Sequence, residues 1–229
     1  MINEVVKKGD FIEIKYTGYK NGEVFDSNIE EDIKKLDKNL KVNKFVIVVG
    51  EGMVIGGLDK AFEGKNIGRE YEISLSPKEG FGDRNRELIK TIPLSMFKEK
   101  NVDPRPGMMF NLDNTMARII AVSGARVITD FNNPLAGKNI VYKFIIIKKV
   151  EDEKDKIETL FEFFFKTIPD FEIKDKIIVK GAKGMEVFVD AFKDKFKELM
   201  GKELAFELKE EKAKPEDKTE AKVSEIKEE

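Results

Sequence analysis

A glycine-punctuated run at residues 50–82, GEGMVIGGLDKAFEGKNIGREYEISLSPKEGFG, most constrains the fold of this chain. It predicts a strand end, a tight loop, a short helix over 56–62, a turn, a strand and a glycine-bounded loop. A second run far downstream, DFNNPLAGKNIVYKFIII at 130–147, predicts a loop that closes into a long apolar strand. The stretch between them differs in character, which indicates one small domain interrupted by another.

The segments around the first run predict further parts of an antiparallel sheet. Residues 10–19 alternate as a strand, and the pair Asn21-Gly22 is a hairpin signal. Residues 45–49 and 140–150 predict two more strands. One short helix in this β-rich region predicts a sheet wrapped around that helix.

Composition limits the chemistry available to the chain. Its 229 residues include no Cys and no His, and the net charge is -2. This excludes disulfides, thiolate and imidazole catalysis and the usual transition-metal ligand sets, so we expect no metal and no other cofactor. The absence of Gln and the abundance of Lys, Glu and Ile favour a thermophilic source, with lineage codon bias as the alternative.

The same sequence argues against membranes and nucleic acids as partners. No run of apolar residues is long enough for a membrane helix, and the N-terminal MINEVVKKGDF lacks the apolar core of a signal peptide. The balanced charge creates no overall attraction to nucleic acid or to anionic lipid. We therefore expect a cytoplasmic protein.

Three motifs occur in a fixed order: VFDS, the run at 50–82, and NPLAGKNIVYKF. In this order they resemble FKBP-type peptidyl-prolyl isomerases, and more narrowly their SlyD-like branch. The chain is most similar to the long archaeal type of that branch, which has an extra C-terminal domain. The resemblance covers residues 1–150. It implies an α+β fold, with an antiparallel half-barrel around one short helix. The FKBP domain would comprise residues 1–84 and 130–150, interrupted by a β-rich insert-in-flap chaperone domain at 85–129.

The resemblance also implies a catalytic pocket for Xaa-Pro bonds. Its positions match Tyr16, Phe25, Asp26, Phe45, Val54, Ile55, Leu58, Phe81 and Tyr142. Leu58 stands where many members have Trp, and Phe81 stands where Tyr is usual. Isomerisation requires twisting of an amide and no nucleophile, so a chain without His or Cys can catalyse it. On periodicity alone, the alternative of ordinary core aromatics is favoured.

The insert is rich in Met, a residue that adapts to many partners. The functional hypothesis is a flexible apolar surface that binds unfolded or nascent polypeptides. The residues expected to form it are Ile92, Met96, Phe97, Met108, Met109 and Phe110. The alternative is a module that only adds stability, with Met as a gap-filler.

Residues 151–208 resemble no family that we can name and predict a small α+β domain. Their pattern indicates helices over 156–166 and 185–200 and strands over 171–179 and 204–208. The charged tail at 209–229 is expected to be disordered. A cluster of aromatic residues in the first helix is either buried within this domain or forms a homodimer contact; it comprises Phe161, Phe163, Phe164 and Phe165.

Together these features predict a peptidyl-prolyl cis-trans isomerase with chaperone activity, acting on Xaa-Pro bonds of folding polypeptides that the insert captures. The main alternative is a holdase chaperone whose prolyl pocket is degenerate because Leu58 and Phe81 have weakened it. A structural assembly protein that works through the C-terminal domain is a third.

Overall fold

A computed structural model describes residues 4–40, 42–112 and 115–209, so most of the tail expected at 209–229 lies outside the described residues. The strands are β1 (Phe11–Lys20), β2 (Glu23–Ser27), β3 (Val46–Val48), β4 (Glu70–Leu75), β5 (Ile89–Pro93), β6 (Met109–Leu112), β7 (Thr115–Ser123), β8 (Arg126–Asp130), β9 (Ile140–Lys149), β10 (Asp170–Ile173), β11 (Ile177–Gly181) and β12 (Leu204–Leu208). The helices are α1 (Glu30–Leu36), α2 (Gly56–Phe62), α3 (Leu94–Glu99), α4 (Glu153–Phe165) and α5 (Glu186–Met200), with a 3-10 turn at Arg86–Leu88. The chain divides into two compact units between Thr159 and Leu160. Within the described ranges, no helix is both long and apolar enough to cross a membrane.

The first unit contains a five-stranded antiparallel sheet. Its order is β2-β1-β9-β4, and β3 pairs with β1. The hairpin between β1 and β2 turns at Asn21 and Gly22, whose φ angles are 51° and 82°. Positive φ at both residues is what a two-residue turn of type I′ requires, so the predicted hairpin is confirmed.

Helix α2 covers one face of this sheet, as expected for a sheet wrapped around one short helix. Leu58 and Phe62 are 2% and 0% exposed and belong to one cluster with Ile14 and Ile146 of the sheet. The Phe62 ring meets Phe144 edge to face, with 4.9 Å between centroids. Burying a side chain of this size stabilises the fold by about 1.5–3 kcal/mol.

A second, four-stranded antiparallel sheet has the order β5-β8-β7-β6 and lies in the same unit. Helix α3 contributes Phe97 to its small core, where Ile92, Ile119 and Val127 are also buried. Two chain segments join this insert to the first sheet. They are held together by Asn132, whose side chain bonds the backbone N–H and C=O of Asn85 at 2.8 and 2.9 Å.

The second unit contains a three-stranded sheet, β10-β11-β12, with an antiparallel and a parallel pair. The prediction of one strand over 171–179 is wrong. The chain reverses at Lys174, whose N–H bonds Lys176 O at 2.9 Å, and two strands result. Three consecutive polar residues, Lys174, Asp175 and Lys176, interrupt the alternation at this turn, and the prediction overlooked that signal. Taken as a whole, the described chain is mixed α+β with antiparallel sheets, as expected.

Helix α5 ends as predicted at Gly201, which has a φ of 71° and donates its N–H to Lys197 O at 2.9 Å. Its apolar residues are divided between a buried and an exposed face. Val189 and Phe196 are 1% and 0% exposed, whereas Val187 and Phe188 are 67% and 58% exposed. The helix begins only at Glu186, and its first apolar pair points away from the buried stripe.

Candidate active site

The nine residues predicted for the prolyl pocket lie close together. Eight of them are apolar or aromatic and belong to, or pack against, the cluster formed by α2 and the first sheet: Tyr16, Phe25, Phe45, Val54, Ile55, Leu58, Phe81 and Tyr142. The ninth, Asp26, joins them through Tyr16. Leu58 and Tyr142 are buried, and the other seven are partly buried. The group therefore forms an apolar recess with one carboxylate at its wall.

Tyr16 and Asp26 form the polar element of this recess. The Tyr16 hydroxyl donates a hydrogen bond to Asp26 Oδ2 at 3.2 Å. Burial raises the pKa of Tyr16, and the neighbouring carboxylate raises it further, so this phenol stays protonated at neutral pH. Burial also raises the pKa of Asp26, although bonds from Tyr16 and from the Ser27 N–H oppose the change.

The aromatic rings of the recess meet edge to face or tilted. Phe25 contacts Tyr142 and Phe81 with centroid separations of 5.7 and 5.9 Å. Tyr16 contacts Phe45 at 5.7 Å and Tyr142 at 6.0 Å. Such pairs are each worth about 0.5–1.5 kcal/mol beyond the area they bury. The ring positions are therefore fixed from several sides.

Sequence reasoning missed the contribution of Gly18, which lies within β1. A Cβ atom at this position would lie 2.8 Å from Phe25 Cζ and 3.0 Å from Tyr142 Cε1. Both distances are shorter than ordinary carbon contacts. Glycine at position 18 is thus what lets the two rings approach each other over β1. A lone glycine in a strand can signal such a close approach, but it does not identify the partners.

Sequence reasoning also missed Asp59, a buried residue of α2. Its carboxylate accepts the backbone N–H groups of Gly50 and Gly52 at 2.8 and 2.9 Å. These glycines have φ of 85° and 67°, in the left-handed region. Asp59 therefore holds the loop that leads to Val54 and Ile55 in the recess.

The segment that carries Phe81 is held against the start of α2. Gly57 donates its N–H to Glu79 O at 2.9 Å, and a Cβ at Gly57 would lie 2.8 Å from the same oxygen. Gly82 in turn accepts a hydrogen bond from the N–H of Gly137 at 2.8 Å. The position of Phe81 is thus coupled to α2 on one side and to the loop that follows β8 on the other.

The six residues predicted for chaperone binding do not form a single surface. Four of them line one apolar groove of about 80 Å³ between α3 and β6: Ile92, Met96, Phe97 and Phe110. Met108 packs against the small core of the insert. Met109, the next residue, is 42% exposed and lines a different groove. Met109 and Phe110 are consecutive residues of β6, and neighbouring strand residues point to opposite faces, so the two line different grooves.

Comparisons with known proteins agree with this architecture. A family profile described as FKBP-type peptidyl-prolyl cis-trans isomerase matches residues 3–96, and one described as FKBP26, IF domain, matches residues 90–135. The short-type peptidyl-prolyl cis-trans isomerase of Methanocaldococcus jannaschii is 36% identical over 155 residues, which span 66% of this chain and 96% of that protein. The chain therefore belongs to the FKBP-type peptidyl-prolyl cis-trans isomerases.

More distant relatives carry the SlyD name. The FKBP-type isomerase SlyD of Helicobacter pylori is 24% identical over 156 residues, or 66% of this chain and 78% of that protein. SlyD of Haemophilus influenzae is 28% identical over 113 residues, or 47% of this chain and 58% of that protein. The protein is a SlyD-like isomerase, and its substrates are polypeptides with Xaa-Pro bonds.

Proposed function

We propose that the recess around Tyr16, Asp26 and Phe81 is the catalytic pocket. The observation that carries this proposal is the aromatic recess with a single hydrogen-bonded Tyr–Asp pair in its wall. An Xaa-Pro amide is planar because of resonance, and the barrier to its rotation is about 18–20 kcal/mol. The twisted amide has less charge separation than the planar one. An apolar, water-poor recess therefore favours the twisted state.

Each part of the pocket has a role in this proposal. The rings of Phe25, Phe45 and Tyr142 surround the proline, and Leu58 forms the floor. The backbone N–H of Ile55 binds a carbonyl of the substrate, while Asp26 keeps Tyr16 oriented. If these contacts lower the barrier by about 7 kcal/mol, the rate rises about 10⁵-fold.

The test is the cis-to-trans rate of a short Xaa-Pro peptide with wild type and with Tyr16→Ala/Asp26→Ala. We expect a clear acceleration by wild type and its loss in the double variant. The control variant Tyr19→Ala/Glu23→Ala removes a tyrosine and an acidic residue from the same hairpin but outside the recess. It should retain the wild-type rate. A folded wild type that suppresses aggregation without accelerating the peptide would instead establish the holdase alternative.

We further propose that residues 85–129 form a chaperone module that acts before the pocket. The groove lined by Ile92, Met96 and Phe97 offers an apolar surface, and Met96 is 44% exposed on it. Met adapts to partners of different shape, which suits binding to unfolded chains. A client held there raises the effective concentration of its prolines at the pocket.

Deletion of residues 85–129, with a short Gly-Ser linker in their place, separates the two activities. The rate on short peptides should stay within about twofold of wild type, because the pocket is complete without the insert. Catalysis of a proline-limited refolding reaction should fall by about 10²-fold, the lower end of what tethering provides. Equal losses on both substrates would contradict this division of labour.

We also propose that the second unit mediates a homodimer. Phe161 is buried, whereas Val187 and Phe188 at the start of α5 are exposed, and the Phe188 ring lies 6.4 Å from that of Phe165. An exposed apolar pair such as Val187 and Phe188 is typical of a contact surface. Light scattering at tens of micromolar should give a dimer mass for wild type and a monomer mass for Phe188→Ser. A monodisperse wild-type monomer would rule out the dimer.

A further inference from the structure

A second groove lies between the insert and the loop that follows β8, and it differs from the groove beside α3. It is larger, about 760 Å³, and Met109 and Met116 of the insert sheet line it. Both methionines are exposed, at 42% and 53%. The opposite side of the groove is formed by the loop around Pro134.

The charges along this groove are unequal. Four basic residues line it, Lys20, Arg84, Arg118 and Lys138, against one acidic residue, Asp130. Arg84 already pairs with Asp130. Within the described ranges, no carboxylate forms an ion pair with Arg118 or Lys138. The chain as a whole has a net charge of -2, so the positive charge is a local property of this groove.

The groove also adjoins the catalytic recess. Arg84 follows Phe81 by three residues, and the groove's loop is bonded to the Phe81 segment through the N–H of Gly137 and Gly82 O, at 2.8 Å. A polypeptide in the groove would thus lie next to the segment that carries Phe81. The groove beside α3, in contrast, has Lys100 as its only charged lining residue.

We propose that this groove binds polypeptide segments in which acidic residues flank apolar ones. The proposal rests on the chaperone role of the insert and specifies which clients it prefers. The methionines would contact the apolar residues, and Arg118 and Lys138 would pair with carboxylates on either side. Nucleic acid fits less well because no aromatic residue lines the groove for base stacking.

The test uses the full chain and fluorescent peptides without proline, so that the catalytic recess does not contribute. Three peptides share the same apolar core, which is flanked by Asp in the first peptide, by Ser in the second and by Lys in the third. At low salt we expect the Asp peptide to bind about 3- to 10-fold more tightly than the Ser peptide. Raising the salt to about 0.5 M should make the affinities of the two peptides nearly equal. The Lys peptide should bind more weakly than either.

Two matched variants locate the effect. Arg118→Gln/Lys138→Gln should reduce the advantage of the Asp peptide to less than about twofold while leaving the Ser peptide unchanged. Lys98→Gln/Lys100→Gln removes the same charge from the α3 side of the insert, and it should preserve the advantage. Unchanged binding of the Ser peptide in both variants shows that the insert remains folded.

The possible failures are distinct. If the Asp and Ser peptides bind equally well to wild type, the acidic preference is wrong but capture by the insert stands. If no peptide binds, capture itself fails, and this proposal fails with it. Loss of the advantage in Lys98→Gln/Lys100→Gln would place the preference at the α3 groove. Displacement of the Asp peptide by a single-stranded oligonucleotide at equal concentration would overturn the choice of polypeptide.

Discussion

The aromatic recess and the insert both rely on apolar side chains, but those side chains are held in different ways. In the recess, Phe25 touches rings on two sides, and Tyr16 is fixed by Asp26. In the insert, Met96, Met109 and Met116 are each at least two-fifths exposed. The comparison suggests that a fixed surface suits the stabilisation of one twisted amide, whereas loosely held methionines suit many client shapes.

The largest expected difference between the two regions is in stability. Phe62→Ala removes a fully buried ring and should lower the free energy of unfolding by about 3–5 kcal/mol. Met109→Ala shortens an exposed side chain and should change it by less than about 0.5 kcal/mol. Urea unfolding followed by far-UV circular dichroism measures both, because the backbone signal comes from the first sheet and from the insert sheet alike.

That experiment has a simple internal control. Phe62→Leu keeps an apolar side chain at the site and should cost less than Phe62→Ala, since the cavity it leaves is smaller. If Met109→Ala proved as destabilising as Phe62→Ala, the insert would not be the loosely packed region described above.

The next effect concerns Asp59, which fixes the loop of the recess. Asp59→Ala removes the carboxylate that accepts the N–H groups of Gly50 and Gly52, and a hydrogen bond to a charged group contributes about 1.5–3 kcal/mol. The loop that carries Val54 and Ile55 should become mobile, so the peptide isomerisation rate should fall. Binding of proline-free peptides by the insert should not change.

Asp59→Asn is the matched variant because its side-chain oxygen still accepts one of the two bonds. We expect an intermediate rate and an intermediate stability. Wild-type peptide isomerisation in Asp59→Ala would show that the recess does not depend on this loop.

Much of the recess could be predicted because its elements are encoded by short-range signals. The Asn21-Gly22 turn and α2 both appear in the sequence as local patterns, and the resemblance to FKBP-type proteins indicated which residues come together. Asp59 and Gly18 could not be found in this way. The bonds of Asp59 reach back seven and nine residues, and the partners of Gly18 come from β2 and β9. Neither contact has a local signature.

The insert was predicted less completely, for a related reason. Its apolar residues were recognised, but their division between two grooves depends on the register of β6 and β7, in which Met109 lies opposite Arg118. A shift of one residue would exchange the faces of Met109 and Phe110. Composition alone does not fix such a register, so the basic groove was not anticipated.

A smaller effect is expected from Phe81→Tyr. The resemblance to other FKBP-type proteins places a Tyr at this position, and its hydroxyl could donate to a bound carbonyl. One such bond contributes about 0.5–1.5 kcal/mol, so kcat/KM for a short peptide should rise by about twofold to tenfold. Phe81→Leu, which loses the edge contact with Phe25, should lower it. A decrease in Phe81→Tyr would mean that the recess is shaped for a fully apolar wall.

The smallest effect is the pH dependence of Asp26, and it shows what the fixed recess costs in stability. Because burial raises the pKa of Asp26 in the folded protein, the folded state holds this proton more tightly than the unfolded state. The carboxylate therefore destabilises the fold at pH values above its raised pKa. This penalty fades as the pH falls through that pKa, and it is gone below the unfolded value of about 3.9.

Asp26→Asn should accordingly be more stable than wild type at pH 7, with a difference that shrinks towards pH 4, while its peptide isomerisation rate is lower. Urea unfolding at the two pH values measures the difference, and Asp83→Asn, an exposed acid outside the recess, serves as the control. A pH-independent difference between Asp26→Asn and wild type would show that Asp26 is not under strain in the recess, and that its fixed geometry carries no electrostatic penalty.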